Sequence, residues 1–223
     1  LTLGDIARIL LSKGEVVQAL QLHNEMLQVF QELGDRHSRA VTLGDIARIL
    51  LSKGEVEQAL QLHYERLQVF QELGDRRERA VTLGDVARIL LSKGEVEQAL
   101  QLHNETLQIN IDLGNPDGIA NALWSIAQIE VQGEQYQEAY QHLQEAYELL
   151  TKLGRLDGIC WVGLDLGTLL CRAGHTEDGI PILQRSREGF NRLGQLELAK
   201  STQAILAQFS APQSQNQSPH QEE

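Results

Sequence analysis

Leu43, Ile46, Ala47 and Leu50 fall at i, i+3, i+4 and i+7, which places one apolar stripe on a helix. Ser52-Lys53-Gly54 stops that helix, because a glycine there can take the left-handed cap conformation. Val56, Ala59, Leu60, His63, Leu67 and Phe70 form a second helical stripe, and Leu73-Gly74 ends it. Asp75 follows at once and is placed to cap the next helix by accepting from its free N–H groups. Asp35 and Asn115 stand at the same place, and Pro116 after Asn115 suits a first helical position. No β alternation interrupts this pattern. Connections of two to four residues make successive helices antiparallel neighbours.

The pattern recurs. Leu1-Thr2-Leu3-Gly4-Asp5-Ile6-Ala7-Arg8 returns at 41–48 with Val41 for Leu1, and at 81–88 with Val81 for Leu1 and Val86 for the isoleucine. The period of 40 residues lies in the range of stacked helical repeats. The first two copies agree at 34 of 40 positions and the second and third at 28, so these copies share one local structure. Two diverged copies keep the register: Ala127 and Gly167 match Ala47 and Ala87, and Gly154 and Gly194 match Gly34, Gly74 and Gly114. One helix pair cannot bury both of its stripes, whereas a stack of pairs can. We therefore expect about eleven helices, five pairs and a lone helix near Leu196–Phe209. Lys200, Ser201, Gln203 and Gln208 give that last helix a polar face suited to capping the stack. The repeats are expected at about 1–39, 40–79, 80–119, 120–159 and 160–199, the capping helix at 196–209, and a disordered Gln-, Ser- and Pro-rich tail or linker at 210–223. Leu1 is expected inside a first helix that lacks counterparts of Asp35–Ala40. With no initiator Met, the chain is read as a piece of a longer repeat protein.

These residues resemble the tetratricopeptide repeat in its longer variety. The resemblance is carried by a small residue on the first helix (Ala7, Ala47, Ala87, Ala127, Gly167). It is carried also by glycine at the turn (Gly14, Gly54, Gly94, Gly174) and by alanine on the second helix (Ala19, Ala59, Ala99, Ala139). It covers about 1–209 and implies an all-α, right-handed α-solenoid (superhelix) of about five antiparallel helix pairs plus a C-terminal capping helix. Similar long repeats occur in kinesin light chains, spindle-orientation adaptors and bacterial sensor arrays, where the concave face holds a peptide or partner helix. The chain departs from the family where His23, His63 and His103 replace an aromatic, and where Met26, Arg66 and Thr106 replace alanine. Gly133 is shifted by one against Gly54, and Pro181 follows Gly179 in the fifth copy, where a proline is expected to delay or kink the helix.

By the resemblance, the groove is lined by Asp5, Asp45 and Asp85 beside Arg8, Arg48 and Arg88. The rungs are expected about 10 Å apart. Ionised Asp only accepts hydrogen bonds, which favours ligands that offer N–H groups or basic side chains. The plainer reading is an i, i+3 surface pair within each rung. Leu11, Leu51 and Leu91 would supply an apolar floor, and Gln128 takes the arginine's place in the fourth copy. Trp124, where Gly84 stands in the third copy, fits a partner anchor and a core plug equally. Gly4, Gly44 and Gly84 sit in mid-helix, either for close helix packing or to leave room for a ligand backbone.

Composition narrows the classes. The 223 residues carry 19 Lys plus Arg against 31 Asp plus Glu, a net charge of −12 that repels phosphate backbones; no nucleic-acid partner is expected. No apolar run nears the roughly 20 residues of a membrane helix, so no membrane partner is expected either. His23, His63 and His103 are one per copy, far beyond the about 2 Å of a shared zinc ion, and are read as core histidines. Cys160 and Cys171, eleven residues apart on one helix, lie about 16 Å apart, too far for a disulfide, which fits a reducing compartment and a cytoplasmic location. No nucleotide loop, nucleophile elbow or paired metal-binding His motif appears. We expect a non-enzymatic scaffold or sensor arm with no cofactor, whose partner is a protein or peptide. Two alternatives are self-association through the exposed N-terminal repeat, and regulation of an ATPase or protease domain outside this chain.

Overall fold

The computed structural model describes residues 2–210. Its helices are α1 (Leu3–Ser12), α2 (Val16–Glu32), α3 (Arg36–Ser52), α4 (Val56–Leu73), α5 (Arg76–Ser92), α6 (Val96–Asp112), α7 (Pro116–Gln132), α8 (Tyr136–Leu153), α9 (Leu156–Arg172), α10 (Thr176–Arg192) and α11 (Leu196–Ser210). Among the described residues there is no strand. The fold is all-α, a solenoid of helix pairs. Leu1 and the expected tail beyond Ser210 lie outside the described residues. The chain divides into two compact units, one up to Ile129 and one from Glu130 onward.

In the first unit the turn chemistry read from sequence operates as local geometry. Gly54 sits at φ 78° and Gly74 at φ 70°, in the left-handed region that costs other residues about 1–2 kcal/mol. The Asp35 carboxylate accepts from Ser38 N at 2.9 Å, and Asp75 from Glu78 N at 3.0 Å. Each cap satisfies one of the free donors at a helix start. The stripes meet as expected. Ile46, Ala47, Leu50 and Ala59 form one buried cluster; Val86, Ala87, Leu90, Ala99 and Ile129 form another. The alanines are fully buried, and their small side chains let paired helices approach closely. Burying each Leu or Ile contributes about 1.5–3 kcal/mol. Arg36 pairs with Glu72 and Arg76 with Asp112, while Arg39 pairs with Glu65 and Arg79 with Glu105. These half-exposed pairs are worth up to about 1 kcal/mol each, so packing dominates.

One detail differs from expectation here. The first helix begins at Leu3, with Thr2 as its cap. Thr2 Oγ1 accepts from Asp5 N at 3.2 Å and Asp5 Oδ2 accepts from Thr2 N at 3.0 Å, a reciprocal capping box. Asp5 is therefore a cap residue as well as a rung. Leu3, Ile6 and Ile9 are 47%, 38% and 43% exposed, whereas their counterparts Leu43, Ile46 and Ile49 are 3%, 7% and 3% exposed. The preceding helix covers those counterparts.

The second unit holds α8 to α11 and the end of α7. Trp161 packs edge-on against Phe190, ring centroids 5.3 Å apart, beside buried Cys160. Cys171, Leu183 and Leu206 join α9, α10 and α11 in one cluster. Lys200, Ser201, Gln203 and Gln208 are exposed on α11 while Ala199, Thr202 and Leu206 are buried. Pro181 lies inside α10, yet the helix starts at Thr176, in register with Val56, Val96 and Tyr136. The expected delay does not occur. A sixth-position proline leaves the helix start intact, while its missing N–H leaves the Glu177 carbonyl without its helical donor. Gly167 and Gly179 bring α9 and α10 close, since a Cβ at Gly179 would lie 2.7 Å from the Gly167 carbonyl. The turn between α7 and α8 also keeps its register. Glu134, not Gly133, takes the left-handed position at φ 59°.

Candidate functional site

The face of interest lies on the first helices of the pairs in the first unit. Asp5, Asp45 and Asp85 occupy equivalent positions on α1, α3 and α5, and each carboxylate Oδ1 pairs with the arginine one turn on: Arg8 at 3.0 Å, Arg48 and Arg88. The plainer i, i+3 pairing is thus present in every rung. The arginines remain 78%, 69% and 69% exposed, and the aspartates are half-buried at 38%, 31% and 18%. The guanidinium groups therefore reach furthest into solvent, while the acids sit at their base. Leu11, Leu51 and Leu91 are half-buried beside them, Trp124 is half-buried on α7 and Gln128 is exposed. The site residues thus share one register in one unit.

The three rungs are not chemically equal. Asp5 Oδ2 is taken by the capping box at Thr2, and these hydrogen bonds lower the Asp5 pKa, with the backbone bond from Thr2 first among the causes. Asp85 Oδ2 accepts from Arg66 Nη1 at 3.3 Å. Among the described residues, Asp45 Oδ2 accepts no hydrogen bond.

Arg66 is marked by the sequence only as a departure from the family's alanine, not as a site residue. It lies on α4 with only 6% of its side chain exposed. Burying a cation requires partners. Arg66 has Asp85 at 3.3 Å, Glu78 at 3.9 Å and His63 Nδ1 at 3.1 Å from its nitrogens, and it lies over the Phe70 ring at 5.7 Å. Its Nε has no hydrogen-bond partner. The guanidinium also fills the space over Gly44: a Cβ there would meet Arg66 Cζ at 2.5 Å. At Gly84, where the opposing residue is Thr106 in place of Arg66, a Cβ would meet nothing within 4 Å. So Gly44 serves close packing, and Gly84 leaves open space. One sign was available in the sequence. Position 66 is one of the six at which the first two copies differ, with Met26 at its counterpart.

The histidines lie in the core, His23, His63 and His103 being at most 3% exposed. Burial pushes the pKa of His63 and of His103 down to about 4, and lowers that of His23. They are neutral near pH 7. With Arg66 donating to His63 Nδ1, the His63 proton sits on Nε2, which finds no acceptor. Among the described residues no three His, Cys, Asp or Glu side chains converge to hold a metal. Burial raises the thiol pKa of Cys160 and Cys171, both free, so neither is an activated nucleophile. Among the described residues no helix is long and apolar enough to cross a membrane.

A second buried charged residue, an acid, carries no motif signal in the sequence. Glu130 is 7% exposed, and it stands where Leu50 and Leu90 stand in the other copies. His142 Nδ1 lies 2.8 Å from its Oε2.

The family model for the tetratricopeptide repeat matches residues 1–72, 38–112 and 78–152. No curated protein matches the chain. Aspartyl phosphate phosphatase F from Bacillus subtilis is similar in structure, with a TM-score of 0.82 and 10% identity over 94% of this chain and 55% of that one. The Rap conjugation gene regulator of the plasmid pLS20, solved with the Phr* peptide, has a TM-score of 0.76 at 13% identity over 93% and 57%. The nearly identical repeats of a putative kinesin light chain from Podosopora anserina have a TM-score of 0.66 at 18% identity over 86% and 95%. The chain spans a little over half the length of the first two. At such identities the likeness concerns the fold. The repeat match covers more than half of the sequence, and the chain belongs to the tetratricopeptide repeat family.

Proposed function

We propose that the chain is a non-enzymatic protein-interaction arm, binding an extended peptide or a partner helix along the face formed by α1, α3, α5 and α7. The observation that carries this reading is the repetition of one composite rung on successive first helices. Each rung has an exposed arginine, a half-buried aspartate and a half-buried leucine. A ligand crossing α1, α3 and α5 meets an arginine, an aspartate and a leucine at each step, so modest contacts add along its length. Arg8, Arg48 and Arg88 meet carboxylates, the aspartates accept from N–H or ammonium groups, and Leu11, Leu51 and Leu91 with Trp124 supply apolar contact. Gln128 extends the row with a neutral donor and acceptor. The pLS20 regulator, similar in fold, was solved with a peptide, which lends the reading support by analogy.

The test is selection from a displayed random peptide library, followed by anisotropy titration of the selected peptides. Reversing charge in one rung (Asp45→Lys with Arg48→Glu) should weaken binding at least tenfold. Affinity unchanged by that reversal places the ligand elsewhere.

A second reading, self-association, is favoured by Leu3, Ile6 and Ile9, each over a third exposed where equivalent residues are covered by a preceding helix. Light scattering behind size exclusion across a dilution series separates the two. A constant mass near 25 kDa excludes self-association, and a mass that climbs with concentration supports it.

A further inference from the structure

The Asp/Arg rungs repeat in sequence but differ in which carboxylate oxygens are already used. Asp5 has both oxygens taken, by Arg8 and by the Thr2 amide. Asp85 has both taken, by Arg88 and by Arg66. Asp45 has one taken, by Arg48, and its Oδ2 is open. The difference between Asp45 and Asp85 traces to one side chain. Arg66 reaches from α4 to Asp85 on α5, whereas the equivalent residue one copy earlier is Met26, which has no N–H to donate. Asp85 is accordingly less exposed than Asp45, 18% against 31%. A carboxylate with a spare oxygen at the edge of solvent takes a ligand's N–H or ammonium group without breaking a bond. One with both oxygens engaged keeps fewer free lone pairs, and at Asp85 two guanidinium groups already offset the charge that would draw a ligand cation.

We propose that Asp45 is the acceptor for a cationic side chain of the ligand, and that Arg66 is the positioning residue that sets this register by closing the neighbouring rung at Asp85. This rests on the reading of the first-helix face as a peptide groove. A lysine-bearing segment would then anchor between α1 and α5, with Arg8 and Arg88 to either side. The chemistry is that of a basic peptide.

The probe is a fluorescein-labelled (Ala-Lys)6 peptide, titrated by anisotropy against the whole chain at 150 mM salt, beside (Ala-Gln)6 and (Ala-Glu)6. Asp45→Asn and Asp85→Asn remove the same charge, so any difference between them is local. Asp45→Asn should weaken the lysine peptide by about threefold to fivefold, and Asp85→Asn by less than about twofold. Arg66→Met, the residue of the first copy, should strengthen binding by opening Asp85, and the gain should vanish in Arg66→Met with Asp85→Asn. A purely structural role for Arg66 does not produce that reversal. Equal losses from Asp45→Asn and Asp85→Asn overturn the proposal, as does an Arg66→Met variant that folds by circular dichroism and binds like the parent. If Arg66→Met does not fold, the comparison of the two asparagine variants decides. Binding of (Ala-Gln)6 or (Ala-Glu)6 but not the lysine peptide, lost on Arg48→Glu, overturns this proposal and leaves the groove reading standing. If none of the three peptides binds, this proposal fails, and the library selection decides the groove reading.

Discussion

Glu130 Oε2 lies 2.8 Å from His142 Nδ1, and the pair occupies positions that are leucine in both the second and third copies (Leu50 with Leu62, Leu90 with Leu102). A hydrogen-bonded carboxylate and imidazole have replaced two apolar side chains at an otherwise repeated packing site. Glu130 is 9% exposed at its side chain and His142 31%, so the carboxylate depends on its partner more than the imidazole does.

That asymmetry gives the first prediction. His142→Leu leaves a buried carboxylate without its donor and should cost about 1–3 kcal/mol. Glu130→Leu frees a half-exposed imidazole and should cost less. The double variant, restoring the pair of the other copies, should match or exceed the parent in stability by up to about 2 kcal/mol. Urea denaturation of the four proteins closes the cycle, and additive effects would contradict the coupling.

Gly44 and Gly84 occupy equivalent positions on α3 and α5 and should respond oppositely to the same substitution. Gly84→Ala adds a Cβ into open space, removes a helix-interior glycine and should stabilise by up to about 1 kcal/mol. Gly44→Ala drives a Cβ to 2.5 Å from Arg66 Cζ and should destabilise by about 1–3 kcal/mol. Adding Arg66→Met should recover most of that loss. Thermal unfolding of the three variants measures it.

Glu134 holds a left-handed turn conformation at φ 59° that glycine supplies in the other turns of the series. Glu134→Gly should relieve about 1 kcal/mol of backbone strain, partly offset by the larger entropy of glycine in the unfolded chain. The expected net is a small rise in melting temperature, without a change in helix content. A fall would mean that the Glu134 side chain makes up for its backbone.

The buried histidines set a pH dependence. Burial holds the pKa of His63 and His103 at about 4 in the folded chain, against about 6.5 unfolded. Between those values the unfolded chain binds more protons, so stability falls as pH drops from about 6.5 toward 4. Asp5, Asp35, Glu72 and Asp112 have lowered pKa values through their hydrogen bonds, and their loss comes at lower pH, below about 4. Replacing His103 by phenylalanine should flatten the stability profile between pH 6.5 and 4 and leave the steeper fall below it. Urea midpoints at pH 7, 5.5 and 4 test this. A profile unchanged in His103→Phe would mean the loss comes from other groups.

The sequence by itself determined the fold. Its 40-residue period, 3.6-residue apolar stripes, Asp caps and turn glycines are local signals, each acting within a turn or two of the chain. They agree from copy to copy, so the helix pairs, their antiparallel order and the buried alanines at positions 7, 47 and 87 were legible. The candidate face was legible as a register on the first helices. Which of its groups remain available was decided only by tertiary structure. Arg66 and Asp85 are 19 residues apart, on helices of different copies, and meet because α4 packs on α5. Near-identical copies made three equal rungs the natural expectation. One changed residue on a second helix then altered the neighbouring copy, because a packed interior couples side chains across repeats that local pattern treats as separate. The same holds at Pro181 and Glu134. Propensity alone delays the one helix and moves the turn of the other, and in both cases the stack kept its register at a local cost in hydrogen bonding or backbone strain.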